Sequence, residues 1–90
     1  MEKVWVIEKV SEFSGSVDSE VKVFRHKEDA IKQKEKWKEE DSQFIDDIQE
    51  DININENCGS TIEDEELYFY AYDGFNFESV LFNITEMEVL

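Results

Sequence analysis

The fold is decided by residues 65–84, EELYFYAYDGFNFESVLFNI, in which two aromatic-rich runs flank the dipeptide Asp73-Gly74. Aromatic and β-branched residues favour extended strands, and Asp-Gly is among the strongest signals for a two-residue hairpin turn. The stretch therefore predicts an antiparallel hairpin between the strands Glu65–Tyr72 and Phe75–Ile84.

A two-residue turn also fixes which residues of this hairpin lie opposite each other. Strand side chains alternate between the two faces of a sheet, so one face is expected to carry the tyrosines. In this register Tyr72 faces Phe75, Tyr70 faces Phe77 and Tyr68 faces Ser79, while Leu67, Phe69, Val80 and Phe82 lie on the second face. Because so much apolar surface exceeds what one core needs, we expect the tyrosine face to be partly exposed.

Near the end of the second strand, the apolar residues switch from one face to the other. Met87 and Val89 are an odd number of positions from Ile84, so in a regular strand they would lie on the opposite face. An extra residue in one strand moves the side chains that follow it to the other face, so the change predicts a bulge or break within Asn83–Glu86.

The first half of the chain contains two further strands and a helical region. Valine, isoleucine and tryptophan dominate Lys3–Val10, which predicts a strand. Ser11–Glu20 is interpreted as a connection, and Val21–Phe24 as a second, antiparallel strand. A helix is predicted to begin at His26, since acidic residues follow in its first turn, where the helix dipole favours them.

The first helix has a thin apolar stripe, formed by Ala30 and Trp37 one heptad apart. The stem of Lys34 is expected to lie along the edge of this stripe with its ammonium in water. A second helical segment, or a continuation after a kink, is predicted at 43–51 with Ser42 as its cap.

The second helical segment has two chemically distinct faces, and a loop at Asn53–Ser60 follows it. One face is apolar: Phe44, Ile45, Ile48 and Ile52. The other is all carboxylate: Asp46, Asp47, Glu50 and Asp51. The element order ββα(α)ββ predicts a single small acidic α+β domain spanning 1–90, in which an antiparallel sheet of about four strands has helix packed on one face.

Charge is divided unequally along the chain. The formal net charge is −15, and all nine Lys and Arg residues lie at or before Lys38. A field of one sign can select partners and speed association, but it does not specify chemistry. The same negative charge argues against direct binding to nucleic acid or to an anionic membrane.

The remaining composition indicates a folded, intracellular protein. Aromatic residues make up 13% of the chain, which is unlike a disordered acidic tail. The single cysteine, Cys58, cannot form an internal disulfide and fits a reducing compartment. No signal-peptide pattern opens the chain, and no apolar run is long enough to span a bilayer. We therefore expect a cytoplasmic protein that does not enter the membrane.

Catalytic chemistry finds little support in the sequence, and we expect no enzyme activity and no cofactor. The one histidine, His26, lies where a helix cap is expected, and Cys58 lies in a loop. Nothing in the sequence brings the two together as a nucleophile and base. The three glycines are too scattered to form a phosphate-binding loop.

A calcium loop is likewise incomplete, and we expect no metal site. Asp51, Asn53 and Asn55 have the spacing of the first three ligands of such a loop. However, Glu56 stands where the sharp turn needs glycine, and Ile62 stands where a bidentate glutamate is required. An asparagine-rich loop after a helix is the simpler interpretation.

The acidic surface carries the functional hypothesis. Like charges four residues apart on a helix repel, so a concentration of one sign favours a basic partner over a purely solubilising role. The predicted function is a small interaction module, as an inhibitor or nucleic-acid mimic, that binds a basic protein surface. Its predicted contact residues are Asp46, Asp47, Glu50, Asp51, Glu63, Glu65, Tyr68, Tyr70 and Tyr72.

Two alternatives stay open at this stage. The acidic residues could serve solubility alone in a structural or homo-oligomeric domain, with a homodimer formed through the tyrosine face. The lysines of the first helix, Lys32, Lys36 and Lys38, could also neutralise the acidic helix face within the fold or across a homo-oligomer.

Overall fold

A computed structural model describes residues 2–89, which form five antiparallel strands and two helices. The strands are β1 Glu2–Phe13, β2 Ser16–Phe24, β3 Thr61–Glu65, β4 Tyr68–Asp73 and β5 Glu78–Val89, and the helices are α1 Lys27–Glu40 and α2 Ser42–Ile54. The strand order across the sheet is β2-β1-β5-β4-β3. The predicted α+β class, with helix packed on an antiparallel sheet, is confirmed, with five strands in place of about four.

The centre of the sheet is the long ladder between β1 and β5. Its register is unbroken from Glu2 opposite Val89 to Glu12 opposite Ser79. The predicted bulge at Asn83–Glu86 is therefore wrong. Met87 and Val89 differ in parity from Ile84 because they lie on the other face of the same regular strand.

The N-terminal hairpin is longer than the sequence pattern predicted. β1 extends to Phe13, and β2 begins at Ser16, so most of the predicted connection at Ser11–Glu20 is strand. Only Ser14 and Gly15 join the two strands, and both have positive φ, at 53° and 82°. Two successive positive φ values define the type I′ turn, whose twist matches that of the flanking strands.

The C-terminal strands differ from the prediction in two places. The predicted strand Glu65–Tyr72 is divided by a tight turn at Glu66 and Leu67, which separates β3 from β4 and adds the fifth strand. That turn has no glycine, asparagine or proline to mark it. The predicted two-residue turn at Asp73-Gly74 is instead a four-residue loop, because Asp73 pairs with Glu78.

The longer loop changes which residues of β5 lie opposite the tyrosines, but it leaves the tyrosines on the same face of the sheet. Tyr72 pairs with Ser79, Tyr70 with Leu81 and Tyr68 with Asn83. Phe75 and Phe77, predicted to face Tyr72 and Tyr70, lie in the loop and are 63% and 73% exposed. The division of the hairpin into a tyrosine face and a buried face is thus correct, although the partners are not.

The loop after β4 is held by the carboxylate of Asp73. Its Oδ1 accepts hydrogen bonds from the backbone N–H groups of Phe75 and Asn76, at 2.9 and 3.3 Å, and its Oδ2 accepts one from the Asn76 amide at 2.9 Å. Burial alone would raise the pKa of Asp73, but these three hydrogen bonds hold it below its ordinary value. Next to it, Gly74 is needed because a Cβ there would lie 2.6 Å from the carbonyl carbon of Gly59.

Two helices cover one face of the sheet. Asp41 separates α1 from α2 and occupies the cap position of α2, so Ser42 is the first helical residue and not the predicted cap. The predicted stripe of Ala30 and Trp37 is buried, as is Ile48 of α2. These side chains join those of the sheet in one cluster with Ile7, Phe69, Ala71, Val80, Phe82 and Ile84.

Lys34 departs from its expected place at the edge of the apolar stripe. Its side chain is only 2% exposed, so the ammonium is buried and not in water. The Nζ atom donates a hydrogen bond to the backbone carbonyl of Glu65, at the end of β3. The carboxylates of Asp64 and Glu35 each lie 3.8 Å away. The buried charge is therefore compensated by Glu35 of its own helix and by the end of β3, which it joins to α1.

Replacing Lys34 tests this contact. Lys34→Met keeps the length of the stem but leaves the Glu65 carbonyl without its donor, so the free energy of unfolding should fall by about 1–3 kcal/mol. Chemical denaturation measures the change. Lys36→Met, at an exposed position of the same helix, is the matched control and should change stability by less than about 0.5 kcal/mol. Equal or greater stability of Lys34→Met would show that the buried charge costs more than its contacts return.

The carboxylate of Asp73 predicts a pH-dependent stability. Its pKa is lower in the folded than in the unfolded state, so its contribution is fully present above about pH 4 and is lost as pH falls further. Asp73→Asn should lower the free energy of unfolding by about 1–3 kcal/mol at pH 7. The difference from wild type should shrink at about pH 3, as denaturation at both pH values would show. A pH-independent difference would contradict this assignment.

Candidate functional site

The face of the sheet away from the helices is the candidate site, and we call it the open face. Its members alternate along each strand with the residues that point to the core. They are Glu2, Val4, Val6, Glu8, Val10 and Glu12 of β1; Val17, Ser19, Val21 and Val23 of β2; Thr61, Glu63 and Glu65 of β3; Tyr68, Tyr70 and Tyr72 of β4; and Ser79, Leu81, Asn83, Thr85, Met87 and Val89 of β5.

The tyrosines form a row along β4 within this face. Tyr68, Tyr70 and Tyr72 are all half-buried, because their rings lie on the sheet surface beside neighbouring side chains. The rings of Tyr70 and Tyr72 are stacked, with centroids 6.5 Å apart and planes inclined by 14°. Leu81 lies opposite Tyr70 on β5 and continues the apolar surface toward β1. The row is thus an ordered aromatic surface with polar tips.

Valines extend the apolar surface to the other edge of the sheet. On β1, Val10 and Val6 are half-buried. On β2, Val17, Val21 and Val23 are 63%, 54% and 60% exposed. Large apolar side chains gathered on one exposed face are unusual for a monomeric domain and mark interaction surfaces.

All the charge on the open face is negative. Its charged strand residues are five glutamates: Glu2, Glu8, Glu12, Glu63 and Glu65. The lysines of the sheet, Lys3, Lys9 and Lys22, fall on the helix-covered face by strand alternation. An approaching cation therefore meets no like charge among the strand residues of this face.

The glutamates of β3 act on the neighbouring phenols. Glu63 lies directly opposite Tyr70, and Glu65 lies opposite Tyr68. Burial raises the pKa of Tyr68, and the charge of Glu63, together with a hydrogen bond to it, raises it further. Burial also raises the pKa of Tyr70, with smaller contributions from Tyr72, Glu63 and Glu12. Both hydroxyls consequently stay protonated, and so able to donate, over the whole physiological range.

The predicted contact residues separate into two groups on opposite sides of the molecule. Glu63, Glu65 and the three tyrosines lie together on the open face. The carboxylates of α2 lie on the helical layer that covers the other face: Asp46, Asp47 and Glu50 are exposed, and Asp51 is half-buried. One flat partner surface could not contact both groups at once.

Three lysines of α1 reach β3 or the β3–β4 turn, and within residues 2–89 none of the lysines of α1 pairs with the acidic face of α2. Lys38 Nζ lies 2.7 Å from Asp64 Oδ2, and Lys27 Nζ lies 2.6 Å from Glu66 Oε1. A hydrogen bond from Lys27 lowers the pKa of Glu66. Within residues 2–89, no ion pair involves the four carboxylates of α2. The predicted neutralisation of the acidic face of α2 by Lys32, Lys36 and Lys38 within the fold is therefore wrong for the described residues.

Most residues of the open face were not among the predicted contacts, which include five of its strand residues: Glu63, Glu65, Tyr68, Tyr70 and Tyr72. Val17 and Ser19 fall within Ser11–Glu20, whose sequence resembles a connection and therefore hides their place on a strand face. Glu8 and Glu12 of β1 lie in the part of the chain that balances acidic with basic residues, so the net charge does not point to them. The Ser-Gly pair at 14–15 is the signal that could have revealed the hairpin, and with it this part of the face.

Other chemistry on the described part of the chain is limited. No group of three or more His, Cys, Asp or Glu residues within 2–89 is arranged to hold a metal ion. None of the helices in that range is both long and apolar enough to cross a membrane. A groove of about 380 Å³ lies beside β1 and β2, where Lys9 Nζ and Asp41 Oδ2 are 3.4 Å apart.

Comparison with protein-family models, with curated proteins and with solved structures finds no significant match for this chain.

The electrostatic contact between Glu63 and the tyrosines is directly measurable. Glu63→Gln removes the neighbouring negative charge, so the pKa of Tyr68 and Tyr70 should fall toward the ordinary value of about 10. A pH titration of the tyrosine ring carbons by NMR resolves each residue. Glu88→Gln, on β5 and on the opposite face, is the control and should leave both pKa values unchanged. Unaltered phenol pKa values in Glu63→Gln would contradict the described geometry.

Proposed function

We propose that the chain is a non-enzymatic interaction module whose open face binds a basic, partly apolar surface on another protein. The observation that carries the proposal is the composition of that face. It combines an ordered row of tyrosines and exposed valines with five glutamates, and it has no Lys or Arg among its strand residues.

The aromatic row would provide most of the affinity. Tyrosine is enriched among residues that dominate binding energy, because a rigid ring buries much area at small entropic cost. Tyr70 is central, since it stacks on Tyr72 and pairs with both Glu63 and Leu81. Its hydroxyl stays protonated and can donate to a partner.

The glutamates would determine which partners approach. Their charge speeds the encounter with cationic surfaces and disfavours acidic ones, while contributing less to final affinity than buried contacts do. The same charge repels phosphate groups, so direct binding to nucleic acid is not part of the proposal. A protein that covers a cationic groove could act as an inhibitor or nucleic-acid mimic, and the cytoplasm is the proposed location.

The competing function is a structural domain whose acidity serves solubility alone. The open face favours the interaction module, because solubility requires charge but not exposed tyrosines and valines. The acidic face of α2, where no ion pair involves the carboxylates within residues 2–89, matches the solubility function better.

Site-specific photocrosslinking tests the proposal. A photoreactive phenylalanine analogue at position 70 should capture a basic protein from an extract of the source cells, and the same analogue at position 47 should not. Raising the salt concentration should reduce capture, because the Debye length shortens to about 3 Å at 1 M.

The binding of variants to the captured partner then measures how much the tyrosines and the glutamates each contribute to affinity and association rate. Tyr70→Ala should weaken binding about tenfold or more. The pair Glu63→Gln and Glu65→Gln should chiefly slow association and reduce its salt dependence. The pair Asp46→Asn and Asp47→Asn is the matched control and should bind like wild type. Equal capture from positions 70 and 47, or unchanged binding by Tyr70→Ala, would refute the open face as the site.

A further inference from the structure

The outer edge of β2 is a second exposed surface that could pair with another chain. It does not depend on the function proposed for the open face. β2 is the first strand in the sheet order, so its outer N–H and C=O groups have no neighbouring strand within residues 2–89. Its register with β1 is regular from Ser16 to Phe24, without a bulge, and the chain contains no proline. A straight, exposed edge of nine residues is a template for pairing with another strand.

The two edges of the sheet differ in charge. The other edge, β3, has only five residues, and Glu63, Asp64 and Glu65 are three of them. A second copy of this chain would meet like charge there. On β2 the charges are mixed: Asp18, Glu20 and Lys22. Within residues 2–89 none of these three has an ion-pair partner in its own chain.

We infer that two copies of the chain associate by antiparallel pairing of their β2 edges, centred on Val21. In that register Val21 lies opposite Val21 of the partner subunit, and Glu20 lies opposite the partner's Lys22. The twofold symmetry produces the Glu20–Lys22 pair twice. Centring on Glu20 would place Glu20 opposite the partner's Glu20, although Asp18 would then face the partner's Lys22, and centring on Lys22 would place Lys22 opposite the partner's Lys22. Of the three registers, only the one centred on Val21 has opposite-charge pairs and no like-charge pair. Opposite charges on facing strand positions stabilise a pairing and like charges destabilise it, which selects the register.

The pairing places side chains of the second copy beside two exposed valines of β2, Val21 and Val23. Val23 would lie opposite the partner's Ser19, and the two Val21 side chains would meet at the seam on the open face. Because facing residues of an antiparallel pair point to the same side, both helical layers lie on one side of a ten-stranded sheet. The two open faces would then form one continuous surface, twice as wide.

Charge reversal at the edge tests the pairing. Each chain carries a net charge of −15, so the association should be measured at about 0.3 M salt, where long-range repulsion is screened. Light scattering should give wild type twice the 10.7 kDa mass of one chain. Glu20→Lys alone and Lys22→Glu alone should each raise the dimer Kd about tenfold or more, because two attractive pairs become repulsive.

Recombining the reversed charges makes the test specific. A mixture of Glu20→Lys and Lys22→Glu chains should form a heterodimer, since each lysine then faces a glutamate. The double variant with both changes should dimerise with itself for the same reason. Circular dichroism checks that every variant is folded. A wild-type mass of one chain, single variants that dimerise as tightly as wild type, or a mixture no tighter than its components would each overturn the inference.

Discussion

The buried ammonium of Lys34 constrains how α1 lies on the sheet, because it must reach the end of β3. A lysine this deeply buried must find acceptors, and the Glu65 carbonyl and the Asp64 carboxylate provide them. Lys38 adds an ion pair to Asp64, and Lys27 adds one to Glu66 in the β3–β4 turn. Three of the nine basic residues are thereby engaged between α1 and β3–β4. Strand alternation adds to this separation of charge, because Lys3, Lys9 and Lys22 lie on the helix-covered face and the charged strand residues of the open face are all carboxylates.

The sequence determined the class of fold through features that repeat over many residues. The alternation in β4 and β5 placed Phe69, Val80 and Phe82 on the buried face regardless of the exact turn, because an even shift in register preserves parity. Features that depend on one or two residues were less predictable. Asp73-Gly74 resembles a two-residue turn, but the carboxylate of Asp73 organises a longer loop through its three hydrogen bonds. The turn at Glu66 and Leu67 contains no residue that marks a turn, so β3 was not separated from β4.

Only part of the candidate site could be predicted, because it depends on contacts between residues that are far apart in the chain. Local sequence shows which residues are acidic and which share a face of one element, and on that basis Asp46, Asp47 and Glu50 resembled a binding surface. It does not show which lysine reaches which carboxylate, nor which strands lie side by side. Tyr70 of β4 and Val10 of β1 are far apart in the chain, and both lie opposite Leu81 of β5. The open face exists only once that strand order is known.

The same strand order has a consequence for how the molecule folds. The β1–β5 ladder at the centre of the sheet joins the two strands most distant in sequence, with Glu2 opposite Val89. Forming it requires closure of nearly the whole described chain, which is entropically costly until other contacts have brought the ends together. Proteins rich in such non-local pairings fold slowly. The β1–β2 hairpin, the two helices and the antiparallel run β3–β4–β5 each consist of neighbours in sequence and can form locally. The pairing of β5 with β1 is the step that joins these two locally formed parts of the sheet.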